Sequence, residues 1–287
     1  MTQVHYRYAT VQGRRLFYRE AGPADAPVLV LLHGFPSSSF MFRNLIPALA
    51  GRWRLIAPDH LGFGHSDAPP VTDFGYTFDS LTDLTAELLQ QLGLSRYSLY
   101  VQDYGAPIGW RLALRDPAAV TAIISQNGNV YDEGFQPDFM APQLAYWKEQ
   151  TPETEAGVRP ALSLEATRWQ YLTGAADESL VDPDTWTHDH ALLSRPGNDL
   201  IQLKLFLDYA TNPPLYPLVH KYFRESQVPL LAVWGRNDPV FAPGGALAFT
   251  TDLPEAEVHL LDGGHFLLES ALDEVVPLIR KFLSSHV

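Results

Sequence analysis

The chain is expected to form an α/β fold, a doubly wound and mostly parallel sheet with an inserted helical lid, and three observations predict it. Continuous apolar runs of strand length, such as residues 28–32 and 230–234, recur along the sequence, and segments of helical period lie between them. Runs apolar at every position suit parallel strands covered by helices on both faces. The strand–helix alternation then fails between about residues 131 and 227, where only helix-like and Pro-rich segments are found.

Taken in order, Arg14-Arg15-Leu16-Phe17-Tyr18-Arg19-Glu20 alternates as a half-exposed early strand and ends in the turn Gly22-Pro23-Ala24-Asp25. Residues 28–32 and 54–57 follow as buried strands. Leu81, Leu84, Leu88 and Leu92 mark one face of a helix that Gly93 caps. Further strands are expected at 97–101, 121–124, 230–234 and 258–261, with a helix over 108–114. The stretch 131–227 clusters aromatic residues (Phe135, Phe139, Tyr146, Trp147, Trp169, Tyr171, Trp186, Phe206, Tyr209) and reads as a lid over a strand-end site, most of these rings forming the lid's own core. The expected organisation is a core of residues 1–130 and 228–287, interrupted by a cap over 131–227.

With 287 residues, 46% hydrophobic and 18% charged, the chain can bury a full core. A net charge of −13 argues against a nucleic-acid partner, because phosphate binding needs a cationic footprint. There is no cysteine for a disulfide or a thiolate metal site. The start, Met1-Thr2-Gln3-Val4-His5-Tyr6-Arg7-Tyr8, lacks a signal-peptide pattern and no apolar run nears membrane-spanning length, so a soluble, cytoplasmic protein without a membrane partner is expected. His188 and His190 read as a solvated turn, so neither a metal nor a cofactor is expected. No heptad seam is present, which leaves monomer and homodimer open.

The chemistry gathers at strand ends. In Val101-Gln102-Asp103-Tyr104-Gly105, an apolar strand breaks into a tight turn and then a helix, and a carboxylate occupies the place of a nucleophile. A carboxylate attacking an acyl carbon makes a high-energy anhydride, whereas attack on a saturated carbon makes an ordinary ester. The expected substrates are therefore alkyl carbons bearing an epoxide oxygen or a halogen. Asp238, in Asn237-Asp238-Pro239, and His265, in Gly263-Gly264-His265, each follow a later strand, giving the order nucleophile, acid, base. Asp132 is a competing acid but begins the lid. Backbone N–H groups of Phe35, in His33-Gly34-Phe35-Pro36, and of Tyr104 are placed to form an oxyanion hole, with both rings shaping the substrate pocket.

Together with the turn Gly62-Phe63-Gly64-His65-Ser66, these motifs resemble the α/β-hydrolase superfamily, in particular its aspartate-nucleophile branch of epoxide hydrolases and haloalkane dehalogenases. The resemblance covers essentially the whole chain. It implies an alkyl-enzyme ester on Asp103, hydrolysed by water that His265, oriented by Asp238, deprotonates. It also implies helpers for the first step: two lid tyrosines as proton donors in epoxide hydrolases, N–H donors to halide in dehalogenases. Tyr104 and Phe35 stand where dehalogenases usually carry those N–H donors, and the His-Gly-Phe-Pro form is similar to epoxide hydrolases. Tyr209, 29 positions before Asp238, matches one lid tyrosine; Tyr146 is the candidate for the other, with Trp147 beside it as a substrate contact. The arginines with which fluoroacetate dehalogenases hold a carboxylate are replaced here by Tyr104 and Pro107. The expectation is epoxide hydrolysis of a small apolar substrate by water, with haloalkane dehalogenation as the alternative. An esterase or lactonase using His265 as general base, or a non-catalytic ligand-binding protein of the same fold, stand behind these.

Overall fold

The computed structural model describes residues 3–287; Met1 and Thr2, which open the segment read for a signal peptide, lie outside the described residues. Eight strands form one sheet: β1 (His5–Val11), β2 (Arg14–Ala21), β3 (Val28–Leu32), β4 (Arg54–Pro58), β5 (Tyr97–Gln102), β6 (Val120–Gln126), β7 (Leu230–Gly235) and β8 (Glu257–Leu261). Their spatial order is β1-β2-β4-β3-β5-β6-β7-β8. The β1–β2 and β2–β4 pairs are antiparallel and the rest parallel. β1 was not expected. It is an edge strand in which only Val11 is fully buried, so its sequence carries no apolar run. What fixes it is the two-residue turn Gln12-Gly13, with φ of 49° and 76°, whose positive angles match the twist of a hairpin.

Successive side chains of a strand point to opposite faces, so each all-apolar run feeds two cores. On one face Val30, Leu32, Leu99, Val101 and Ile123 pack with Leu81, Leu84 and Leu88 of the helix Phe78–Gln91 and Ile108 and Leu112 of the helix Gly105–Arg115. On the other, Leu29, Leu31, Tyr100, Ile124 and Val233 pack with Val275, Ile279 and Phe282 of the helix Leu272–His286. The helix Phe78–Gln91 starts at a reciprocal cap, Thr77 and Ser80 each accepting the other's backbone N–H at 3.0 Å, and Gly93 follows its end at φ 72°.

Between β6 and β7 the described residues form no named strand; six α-helices and several short turns fill the interval. The last helix, Tyr216–Ser226, lies on the core layer, its Phe223 ring edge-on to Trp110 at 5.6 Å. The 131–227 boundary therefore takes in a helix that packs with the sheet domain. Its Val219 and Phe223 are an amphipathic stripe that sequence alone assigns to either neighbour. No helix of the described residues is long and apolar enough to cross a membrane.

The helix Pro183–Leu193 is tied to the β3 loop through Asp189, which is 2% exposed and accepts hydrogen bonds from the Tyr171 hydroxyl (2.5 Å) and the Ser38 hydroxyl (3.4 Å). Burial pushes its carboxyl up to about 8, against the pull of the Tyr171 hydrogen bond. From the ordinary value of 3.8 up to about 8 the folded chain keeps a proton that the unfolded chain releases, so stability falls as pH rises through that window. Asp189→Asn retains an acceptor for Tyr171 and removes the titration. Its melting temperature, followed by differential scanning fluorimetry, is expected to exceed that of the parent by a margin that widens from about pH 4 to about pH 8. A margin independent of pH would contradict this assignment.

Candidate active site

β5 ends at Gln102, and the chain turns at Asp103 with φ 47°, a left-handed conformation that a non-glycine residue adopts only at a cost, before the helix Gly105–Arg115 begins. The turn is tight because its neighbours lack side chains. A Cβ on Gly105 would lie 2.0 Å from the Leu32 carbonyl oxygen, and one on Gly34 would lie 2.3 Å from the Cβ of Asp103. The β3 loop can therefore close on the carboxylate: Phe35 N–H donates to Asp103 Oδ1 at 2.6 Å, and Tyr104 N–H also donates to the carboxylate. Asp103 is 6% exposed. Burial pushes its pKa up, and His265 with the two amides pulls it back.

His265 and Asp238 follow β8 and β7. His265 Nδ1 lies 2.9 Å from Asp238 Oδ2 and its Nε2 lies 3.9 Å from Asp103 Oδ2, so the imidazole bridges the two carboxylates. Both His265 and Asp238 are buried. Burial lowers the imidazole pKa, but attraction to Asp238 and its hydrogen bond, with a contribution from Asp103, carries it above 6.5. Asp238 is saturated: Asn127 Nδ2 donates to Oδ2 at 2.6 Å and Val240 N–H to Oδ1 at 2.7 Å. The Gln102 amide nitrogen sits 2.9 Å from His265 Nε2, and Gln126 donates to the His265 carbonyl at 3.1 Å. With Asp238 as acceptor, the proton of a neutral His265 belongs on Nδ1, leaving Nε2 the basic atom.

A cavity of about 50 Å³ opens onto Asp103. Phe35, Tyr104, Trp147 and Tyr209 all line it. Tyr104 contacts Tyr209 with ring centres 5.8 Å apart, and Trp147 stacks on Tyr209 at 5.9 Å. The Trp147 indole N–H is engaged, donating to the Phe206 carbonyl at 2.7 Å. The Tyr209 hydroxyl is buried beside the Tyr216 hydroxyl, and burial holds its pKa well above 10. Tyr209 is set by latches on either side: Asp208 accepts from Phe78 N–H at 2.7 Å, and Asn212 accepts from Arg111 at 2.7 Å. Tyr146 is not among the residues lining this cavity; the charged groups acting on its hydroxyl are Glu155 and Arg159. The stripe of its helix that does line it is Phe139, Met140, Gln143 and Trp147, spaced as one helical face, and Tyr146 falls at the edge of that stripe.

Asp132 lies in a short 3₁₀ turn and has no contact with His265 among those the structure records. No group of His, Asp or Glu side chains among the described residues has a metal-binding arrangement. The sequence reading missed Gln102, Asn127, Gln143 and Gln170. For Gln102 and Asn127 the signal was available: polar residues at the ends of apolar strands face a strand-end site. Gln143 and Gln170 carried none, because their placement depends on how the inserted helices pack.

The family described as alpha/beta hydrolase fold matches residues 27–272. An uncharacterized hydrolase of Saccharomyces cerevisiae, YNR064C, is 41% identical over 99% of this chain and 98% of its own length. A cis-3-alkyl-4-alkyloxetan-2-one decarboxylase of Shewanella oneidensis is 30% identical over 95% of this chain and 86% of its own. Among solved structures, the haloalkane dehalogenase DbeA of Bradyrhizobium elkani superposes with a TM-score of 0.80 at 25% identity, covering 99% of this chain and 100% of that one. The epoxide hydrolase CorEH superposes with a TM-score of 0.77 at 21% identity over 99% of both chains.

Proposed function

From the premise that this chain belongs to the α/β-hydrolase fold family, in the neighbourhood of dehalogenases and epoxide hydrolases, we propose that it opens small epoxides to diols through a covalent ester on Asp103, with residues 131–227 supplying the cap. The observation that carries this reading is the Tyr209 hydroxyl. It is a protonated, buried donor in the cavity that Asp103 lines, set beside the Tyr216 hydroxyl, and an epoxide requires such a donor where a halide does not. An alkoxide is a poor leaving group and needs a proton; a halide needs only hydrogen-bond donors, and the one indole in the cavity is already bonded to Phe206.

In the first step Asp103 Oδ2 attacks an epoxide carbon, the carbon–oxygen bond breaks, and the freed oxygen takes the proton of Tyr209. Oδ1, held by Phe35 and Tyr104 N–H, becomes the ester carbonyl already seated among its donors. In the second step His265 Nε2 removes a proton from water, the hydroxide attacks Cγ of Asp103, and the oxyanion forms on Oδ1. Collapse expels the alkoxide, which takes the proton from His265. The proton released as Asp103 re-ionises returns to Tyr209, so the balance is epoxide plus water to diol. Asp238, held by Asn127 and Val240, keeps the Nδ1 proton in place and stabilises the imidazolium.

Tyr209→Phe is expected to slow ester formation from an epoxide by about 10²- to 10⁴-fold while leaving ester hydrolysis within a few-fold. Rapid-quench single turnovers separate the two steps. Slowing confined to hydrolysis would remove Tyr209 from the first step. Robust turnover of haloalkanes with no reaction of epoxides would move the assignment to dehalogenase.

A further inference from the structure

Two amides in the cavity wall have no use in the chemistry described above. Gln170, on the helix Leu164–Leu172, is 4% exposed, lines the cavity and makes no side-chain hydrogen bond among the described residues. Gln143, on the helix Pro137–Lys148, lines it as well, and its Oε1 is buried without a partner. Apart from Tyr209, the rest of the wall contributed by the inserted segment, Phe139, Met140, Trp147, Ala161 and Phe206, is apolar. Gln143 is half-buried with its Oε1 sealed and unpartnered, which is destabilising unless a ligand supplies a donor, and an apolar residue of similar volume would fill the space without that cost. Two such amides facing one cavity, from inserted helices well separated in sequence from the strand-end turns that carry Asp103 and His265, form a site for a hydrogen-bonding group.

We propose that Gln143 and Gln170 form a polar end of the substrate pocket, and that the substrate is a small epoxide bearing a hydroxyl or carboxamide substituent near the reacting carbon. This rests on the epoxide reading above. Each amide offers a donor and an acceptor, so a substituent able to do both satisfies them, whereas an apolar one of equal size leaves them unpaired. Discrimination from such a site exceeds that of an apolar pocket, in which one methyl group more or less changes little.

The test uses two epoxides of nearly equal volume, glycidol and 1,2-epoxybutane, which differ by hydroxyl for methyl. The parent protein is expected to favour glycidol in kcat/KM by about 10-fold or more. In the Gln143→Met/Gln170→Met double variant that ratio falls to about one or reverses, glycidol losing and 1,2-epoxybutane gaining. Circular dichroism and the melting temperature establish that the variant is folded; if it is not, the single variant Gln170→Leu gives the same ratio test. No preference in the parent enzyme, or an equal loss on both substrates in the variants, overturns the proposal. If neither epoxide alkylates Asp103, the epoxide reading itself fails. The polar end is then decided by saturation-transfer NMR with the unreactive pair butan-1-ol and pentane. Preferential transfer to butan-1-ol that disappears in the Met variant supports it, and equal transfer in both proteins overturns it.

Discussion

Asp103→Asn is expected to lower kcat/KM for any epoxide by about 10⁴-fold or more, measured as initial rates of diol formation. The substitution preserves shape and the acceptor for Phe35 N–H, which lies 2.6 Å from Oδ1, so the turn and the cavity persist. What it removes is the negative oxygen that makes the bond to carbon, because a carboxamide is not a useful nucleophile. The size of the loss is diagnostic. If His265 instead activated water for direct attack on the substrate, the imidazole, its bond to Asp238 at 2.9 Å and the oxyanion donors would all remain, and activity would persist within about 10-fold.

The second large effect is expected from His265→Gln, in which ester formation continues and ester hydrolysis stops. Asp103 needs no base to become a nucleophile, whereas the water of the second step does. Turnover should fall by about 10³- to 10⁶-fold, with at most one equivalent of epoxide consumed per active site. In the parent enzyme the same residue sets the pH dependence. Its pKa is raised by Asp238, and only the neutral imidazole accepts a proton, so the rate of ester hydrolysis should rise with pH through an acid limb lying above pH 6.5. Single-turnover rates between pH 5.5 and 9 check this, and a limb below 6.5 would contradict the arrangement.

Much of this was legible in the sequence where burial is strong. The strands β3 through β7 carry apolar runs because helices cover both of their faces, and that signal survives without tertiary information; the edge strand β8, Glu257-Val258-His259-Leu260-Leu261, is only partly buried and keeps a shorter apolar run. The strand-end positions of Asp103, Asp238 and His265 follow from those strands, and in the structure one imidazole joins the two carboxylates. β6 extends past the apolar residues to Ser125 and Gln126, polar because the strand end faces the site and Gln126 holds the His265 carbonyl. Edge strand β1 was illegible since its Tyr6 and Tyr8 stay exposed. The cavity wall was illegible for another reason: Gln143 and Tyr146 are three residues apart on one helix, and only its rotation against its neighbours decides which of them reaches the substrate space.

The central claim is a covalent bond between Asp103 and a substrate carbon, and the direct measurement is the intact mass of His265→Gln protein incubated separately with epoxides and with haloalkanes, followed by peptide mapping. A mass increase equal to one whole epoxide, located on Asp103, is the predicted result, since ring opening retains every atom of the substrate. No adduct from either panel, with the variant folded, would contradict the covalent mechanism.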